Sequence, residues 1–188
     1  MKNQLAFFMA YLRNPGRVGA IAPASRALAR SIGAEASRSK PRVLIEIGAG
    51  TGAITRALAS TGASALRFIV YERDPKFALL LKKRWPDMEV LNHCASTVNS
   101  LTLDEHASVT LVSSLPLISM PQAESRQCID AMVALISRQP RSVLIQYTYA
   151  APYRRPFKDI PAGWRWRRVG SVWANLPPAN VWALERVP

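Results

Sequence analysis

Val43-Leu44-Ile45-Glu46-Ile47-Gly48-Ala49-Gly50-Thr51-Gly52 is the stretch on which the reading of this chain turns. Its first five residues form a short, mostly apolar run, as expected of a parallel strand buried on both faces. Three glycines at alternate positions follow. Glycine accepts the backbone angles of a tight turn and lets a ligand come close to the main chain. A helix is predicted from there to about Ser60, and its first turn offers unpaired N–H groups. Arg67 to Glu72 reads as the next strand, and its last residue, Glu72, lies twenty positions past Gly52. In an alternating sheet that strand end borders the same crevice, where a carboxylate can accept both hydroxyls of a ribose. The competing reading is an ordinary strand-to-helix turn, and the coincidence of strand, helix and acid weighs against it.

The same alternation continues outward. Asp74-Pro75 opens a helix, with Asp as the cap and Pro at the first helical position. Short strands are predicted at Met88 to Leu91, Ser108 to Ser114 and Arg141 to Tyr149, with a helix from Gln122 to Arg138. Strand and helix in turn predict an open, mostly parallel sheet with helices on both faces. The chain ends differently. Trp166 to Trp173 and Val181 to Val187 read as two strands joined by Asn175-Leu176-Pro177-Pro178, too short a link for a crossover helix, so they should pair antiparallel. Upstream, Leu5, Phe8, Met9 and Leu12 fall at helical spacing until Asn14-Pro15-Gly16, and a second short helix is expected from Ser25 to Ile32, stopped by Gly33. The whole is read as one domain over 1–188, a helical N-terminal arm at 1–34 and a core at 35–188.

The 188 residues are 49% hydrophobic and carry a formal net charge of +13, so a core is affordable and disorder is excluded. Two cysteines, Cys94 and Cys128, do not make a disulfide scaffold. The longest purely apolar run, Leu5 to Leu12, is far short of the roughly 20 residues that span a bilayer. The charge is segregated. Residues 1–34 hold five basic residues and no acid, residues 35–137 are near neutral, and residues 138–188 hold nine basic residues against two acids. Basic ends around a neutral centre point to a polyanionic partner, either nucleic acid or an anionic bilayer.

The spacing Gly-x-Gly-x-Gly, with Glu46 two residues before Gly48, differs from the dinucleotide fingerprint. It resembles the first motif of class I S-adenosylmethionine-dependent methyltransferases. That resemblance implies an α/β fold: a doubly wound, mostly parallel, seven-stranded Rossmann-like sheet with a C-terminal antiparallel hairpin. It also implies S-adenosylmethionine as cofactor and S-adenosylhomocysteine as product. Gly48, Gly50 and Gly52 would admit the methionyl and ribose parts, Glu46 would support the loop or reach the methionyl ammonium, and Glu72 and Arg73 would border the ribose. Many such enzymes read the adenine with an acid after the third strand. Cys94, followed by Ala95, stands there instead, which leaves the backbone of these two residues to read it. No metal is implied.

Across residues 5–186 the chain further resembles the small bacterial phospholipid N-methyltransferases, which methylate phosphatidylethanolamine. The resemblance rests on Gly19 to Ala29, Glu46 to Gly52, Ser113-Ser114-Leu115-Pro116-Leu117, Gln146 to Tyr149 and, most specifically, Val172 to Trp182. It implies an amine phospholipid as substrate, an anionic membrane surface as partner, and a protein held peripherally at the inner face of the cytoplasmic membrane. Phe8, Tyr11, Leu12, Arg13 and Arg17 would dock the N-terminal arm; the alternative is that its aromatics pack on the core. Tyr147 and Tyr149 would border the reacting amine, and Ser113 would orient it beside the methyl group. His93 is a candidate base. Adenine N6-methyltransferases of nucleic acids carry an aromatic after the proline at 116, where this chain has Leu117, so nucleic acid is not expected as partner. An RNA adenine methyltransferase and a non-catalytic cofactor-binding membrane protein remain the alternatives.

Overall fold

The structure, a computed structural model, describes residues 24–61, 65–149 and 154–187. Seven strands form one sheet in the order β3-β2-β1-β4-β5-β7-β6. They are β1 (Val43–Ile47), β2 (Arg67–Tyr71), β3 (Glu89–Leu91), β4 (Ser108–Ser113), β5 (Arg141–Tyr149), β6 (Trp164–Val172) and β7 (Ala179–Arg186). All pairings among β1 to β5 are parallel, and β7 lies antiparallel between β5 and β6. The helices among the described residues are α1 (Arg26–Arg38), α2 (Ala53–Ser60), α3 (Pro75–Arg84) and α4 (Gln122–Ser137), with a 3₁₀ turn at Ala95–Ser100. The expected mostly parallel sheet with its closing hairpin is thus the observed one.

The sheet buries both faces. All five residues of β1 are buried, including Glu46. Its Leu44 joins Val112, Val143, Ile145 and the inward residues of β7 under Leu28, Ala29 and Ile32 of α1 and Ile54 and Leu58 of α2. Ile45 and Ile47 join Leu111, Leu144 and Trp182 under Met132, Leu135 and Ile136 of α4. Each fully buried Leu or Ile contributes roughly 1.5–3 kcal/mol. Trp164, Trp166 and Trp182 are buried; Phe157 meets Trp166 edge-on at 5.0 Å between ring centres.

Three boundaries differ from expectation. Gly33 does not end α1, which runs on past residue 34 to Arg38 and packs into the core. Gly33 serves a close helix crossing instead, because a Cβ there would stand 2.8 Å from Thr61 Cγ2 of the α2 end. The hairpin strands each begin two residues earlier than expected, at Trp164 and Ala179, and their register slips between Arg168 and Gly170. A bulge of this kind shifts the alternation that a sequence reading relies on. The 3₁₀ turn was not foreseen.

Candidate active site

The carboxyl ends of β1, β2 and β4 meet at the Gly-rich turn. Gly48 N–H donates to Tyr71 O at 2.8 Å, and Ser114 N–H donates to Ile47 O at 2.9 Å, so the turn continues the sheet on both sides. Gly48, Gly50 and Gly52 all have positive φ, at 73°, 54° and 83°. Their surroundings separate their roles. At Gly52 a Cβ would lie 2.6 Å from the Trp85 ring, so this glycine lets α2 begin against α3. At Gly50 nothing lies within 4 Å of a Cβ position, so this one faces open space where a ligand can approach the backbone. Gly48 faces Leu115. Of the three glycines expected to admit the ligand, Gly50 is the one open to it.

Glu72, just past β2, is buried and holds the turn: Oε2 accepts from Gly50 N–H at 2.7 Å and Oε1 from Asp74 N–H at 2.8 Å. Each oxygen keeps a second lone pair for a ribose hydroxyl. Asn92 steadies this end by donating from Nδ2 to the carbonyls of Glu72 and Arg73, both at 2.9 Å. Arg73 is exposed and paired with Glu124 of α4. Asp74 caps α3, accepting from Lys76 N–H at 2.8 Å.

Glu46 is completely buried, and neither carboxylate oxygen has a hydrogen-bond partner among the described residues. Burial pushes its carboxyl up to about 8; Thr55 opposes the rise without closing a bond of normal geometry, and Glu72 adds to it. Two buried acceptors without donors are costly on their own. They fit a ligand cation such as an amino-acid ammonium. Together with the open approach at Gly50 and the free lone pairs of Glu72, they match the ammonium and ribose of S-adenosylmethionine.

Cys94 is half-buried, and its carbonyl starts the 3₁₀ turn by accepting from Thr97 N–H and Oγ1 at 3.1 and 2.9 Å. Burial works upward on its thiol but is outweighed by hydrogen bonding to Ser96 and the Arg73 charge, so the thiol lies below its ordinary value. The Ala95 side chain is buried in the core. His93 is exposed beyond β3, at the edge of the sheet, with its ring 6.3 Å from that of Tyr71. That is the β2–β3 side, away from the ends of β4 and β5, so it does not join the tyrosines.

The amine side departs from expectation at Ser113. This residue is fully buried, and its hydroxyl turns back to accept from Leu115 N–H at 3.4 Å. The next residue, Ser114, is the one whose hydroxyl faces Tyr147. Tyr147 and Tyr149 stand on one face of β5, rings edge-on at 5.4 Å. Burial pushes the phenols of both upward, and the Glu46 carboxylate adds to the effect at Tyr147. Gln146 points the other way and fixes the loop after β4 by donating to Leu115 O at 3.1 Å. Leu117 is packed in the core. Thr55, Asn92, Ser114 and Gln146 were not named as site residues; Ser114 and Gln146 stood inside stretches that carried the resemblance, and the alternation of β5 separated Gln146 from Tyr147, but nothing in the sequence marked Thr55 or Asn92. Phe8, Tyr11, Leu12, Arg13 and Arg17 lie outside the described residues. Among the described residues no helix is long and apolar enough to cross a membrane, and no cluster of His, Cys, Asp and Glu is placed to hold a metal.

This strand order and turn are those of the Rossmann-like class I methyltransferase fold. The structure is similar to the 23S rRNA methyltransferase ErmE (TM-score 0.57, 21% identity, 84% of this chain and 67% of that one). It is also similar to TrmN from Thermus thermophilus (TM-score 0.60, 15% identity, 94% and 52%). A third likeness is to the magnesium protoporphyrin IX methyltransferase of Synechocystis PCC 6803 with bound S-adenosylmethionine (TM-score 0.54, 12% identity, 97% of both chains). In sequence the chain is 29% identical over 192 residues to the ornithine lipid N-methyltransferase of Singulisphaera acidiphila, covering 97% of this chain and 95% of that one. No family model matches the chain.

Proposed function

We propose that this protein is an S-adenosylmethionine-dependent N-methyltransferase that methylates the amine head group of a membrane lipid, phosphatidylethanolamine or an amino-acid lipid, at the inner face of the cytoplasmic membrane. The observation that carries the reading is the similarity to an ornithine lipid N-methyltransferase along nearly the whole of both chains, hairpin included. The site geometry agrees with it. S-adenosylmethionine, when bound, supplies a methyl carbon on a positively charged sulfur. Glu72, which already anchors Gly50, would hold the ribose, Gly50 would give the ligand room at the backbone, and Glu46, whose oxygens have no partner among the described residues, would meet the ammonium.

The acceptor is an alkyl ammonium with a pKa of about 10, judged from lysine. It must lose a proton before it can attack. Tyr147 and Tyr149 remain neutral at physiological pH, because burial raises both. Their oxygens accept N–H from the amine and their ring faces favour a methylated ammonium. Exclusion of water beside a second cation lowers the amine's pKa, and its proton leaves to water at the site mouth. An RNA base is disfavoured by Leu117, which is buried and offers no stacking surface.

Purified protein given labelled methyl donor tests the reading with three acceptors: vesicles containing phosphatidylethanolamine, vesicles containing ornithine lipid, and RNA. Label is expected in one or both lipids. Label in RNA alone sinks the proposal, and donor binding without any transfer favours a non-catalytic protein. Removal of residues 1–13 should weaken sedimentation with anionic vesicles; unchanged sedimentation excludes that arm as an anchor.

A further inference from the structure

We infer that the tip of the β6–β7 hairpin is a bilayer-docking element: Trp173 and Leu176 enter the interface of an anionic phospholipid membrane while Arg26, Arg154 and Arg155 face its head groups. The inference rests on the lipid substrate proposed above and adds a contact separate from the docking residues expected between Phe8 and Arg17.

Most large apolar side chains of the hairpin are buried, but Trp173 is 74% exposed and Leu176 72%. Between them Asn175 is 5% exposed and fully engaged. Its Oδ1 accepts from Ser25 N–H at 2.9 Å, its Nδ2 donates to Pro177 O at 2.7 Å, and its N–H donates to Val172 O at 3.4 Å. The tip is therefore tied down by a buried polar residue while two apolar side chains point outward. Such an arrangement has little ordering cost left when the apolar pair is buried elsewhere.

Its position matters as much. Asn175 is fastened to the start of α1, so exposed Arg26 lies beside the tip. Ala179, just after the tip, pairs with Tyr149, and Thr148 Oγ1 donates to Arg154 O at 3.4 Å. Exposed Arg154 and Arg155 thus join the same end of the sheet as the tyrosine pair. None of these three arginines has an ion pair among the described residues. The two acids within residues 154–187 are used elsewhere, Asp159 by Arg126 and Glu185 by Arg165 and Arg167.

An aromatic and an aliphatic tip ringed by cations is the composition of a membrane-interface anchor. A second copy of the chain fits it less well. A Trp buries at most about 250 Å², and stable protein interfaces need about 1,200 Å² or more.

The test uses the full chain and vesicles of phosphatidylcholine with and without phosphatidylglycerol, which contain no acceptor amine, so docking is read apart from methyl transfer. The double variant Trp173→Ser/Leu176→Ser should partition about tenfold or more weakly onto the anionic vesicles, with donor binding and circular dichroism unchanged. The Trp173 emission, taken as the difference between the native protein and Trp173→Phe, should shift to the blue when anionic vesicles are added. Replacing Arg26, Arg154 and Arg155 by Gln should cost about fivefold each at low salt and less at high salt. Native partitioning by the double variant overturns the inference. So does a Trp173 already shielded from acrylamide without vesicles, which would mean that the chain's own N-terminal residues or another copy covers the tip.

Discussion

Glu46→Gln should change the way stability depends on pH, and the size of the change follows from the site. In the folded protein burial pushes the Glu46 carboxyl up to about 8, against an ordinary value of 4.5, and Thr55 only partly opposes the rise. Between those two values the unfolded chain has lost this proton and the folded chain keeps it. The unfolded state therefore binds fewer protons, and stability falls as pH rises. The slope is roughly 1.4 kcal/mol per pH unit at most. At pH 7 the accumulated cost is about 3 kcal/mol. Above pH 8 the carboxyl ionises in both states and the fall stops.

Gln has the same shape and no proton to lose. Its amide brings its own burial cost, but that cost does not vary with pH. The groups that face Glu46 are Thr55 of α2, Glu72 after β2 and Tyr147 of β5, and all three are retained in the variant. Urea unfolding of both proteins at pH 5.5, 6.5, 7.5 and 8.5 reads the difference directly. The variant should gain on the native protein with each unit up to about pH 8 and then level off. Parallel profiles would refute the claim that Glu46 is a buried, unpartnered acid. The same state has a ligand-side consequence. An ammonium placed on Glu46 would favour the ionised form, so donor binding near pH 7 should release a proton that calorimetry in buffers of different ionisation enthalpy detects.

Glu72→Gln puts an amide where two backbone N–H groups converge, so donor affinity measured by titration calorimetry should fall about tenfold or more, with a smaller loss of stability. Gly52→Ala should destabilise by about 2–3 kcal/mol in denaturant unfolding, since the new methyl meets the Trp85 ring at 2.6 Å and the residue has φ 83°. Tyr147→Phe and Tyr149→Phe should each reduce turnover on the lipid acceptor while leaving donor affinity within about twofold; equal loss of both would instead make the pair part of the donor site. Asp74→Ala removes the cap of α3 and should cost about 1 kcal/mol by thermal unfolding.

What the sequence made legible was whatever a period or a turn residue encodes. The apolar runs of β1, β4 and β5 mark themselves, because a parallel strand buried on both faces has no polar side to break the run. The glycines at 48, 50 and 52 mark the turn, because their positive φ excludes most other residues. Gly33 misled for the opposite reason: it is needed for space against Thr61, not for a backbone angle, and the two needs look identical in a sequence. Ser113 and Ser114 were told apart only by the structure. The strand ends between them, so alternation no longer says which hydroxyl meets Tyr147. Glu46 shows the limit most clearly. Its place in an apolar run advertised burial, yet the lack of any partner depends on α2, β4 and β5 arriving around it.

Part of the charge that first pointed to a polyanion is used within the fold. At the amino ends of the parallel strands, Arg167 pairs with both Glu35 and Glu185, Arg165 with Glu185, and Arg186 donates to Ser137 O. These contacts hold α1, β6 and β7 together, while Lys40, Arg42 and Arg141 at the same end are exposed and have no ion pair among the described residues. At the carboxyl ends, Arg26, Arg154 and Arg155 have no ion pair among the described residues, and they lie at the same end of the sheet as Trp173, Leu176 and the tyrosine pair. A protein that must bring the mouth of its site against an anionic surface gains attraction from these cations and orientation from the apolar tip at the same end.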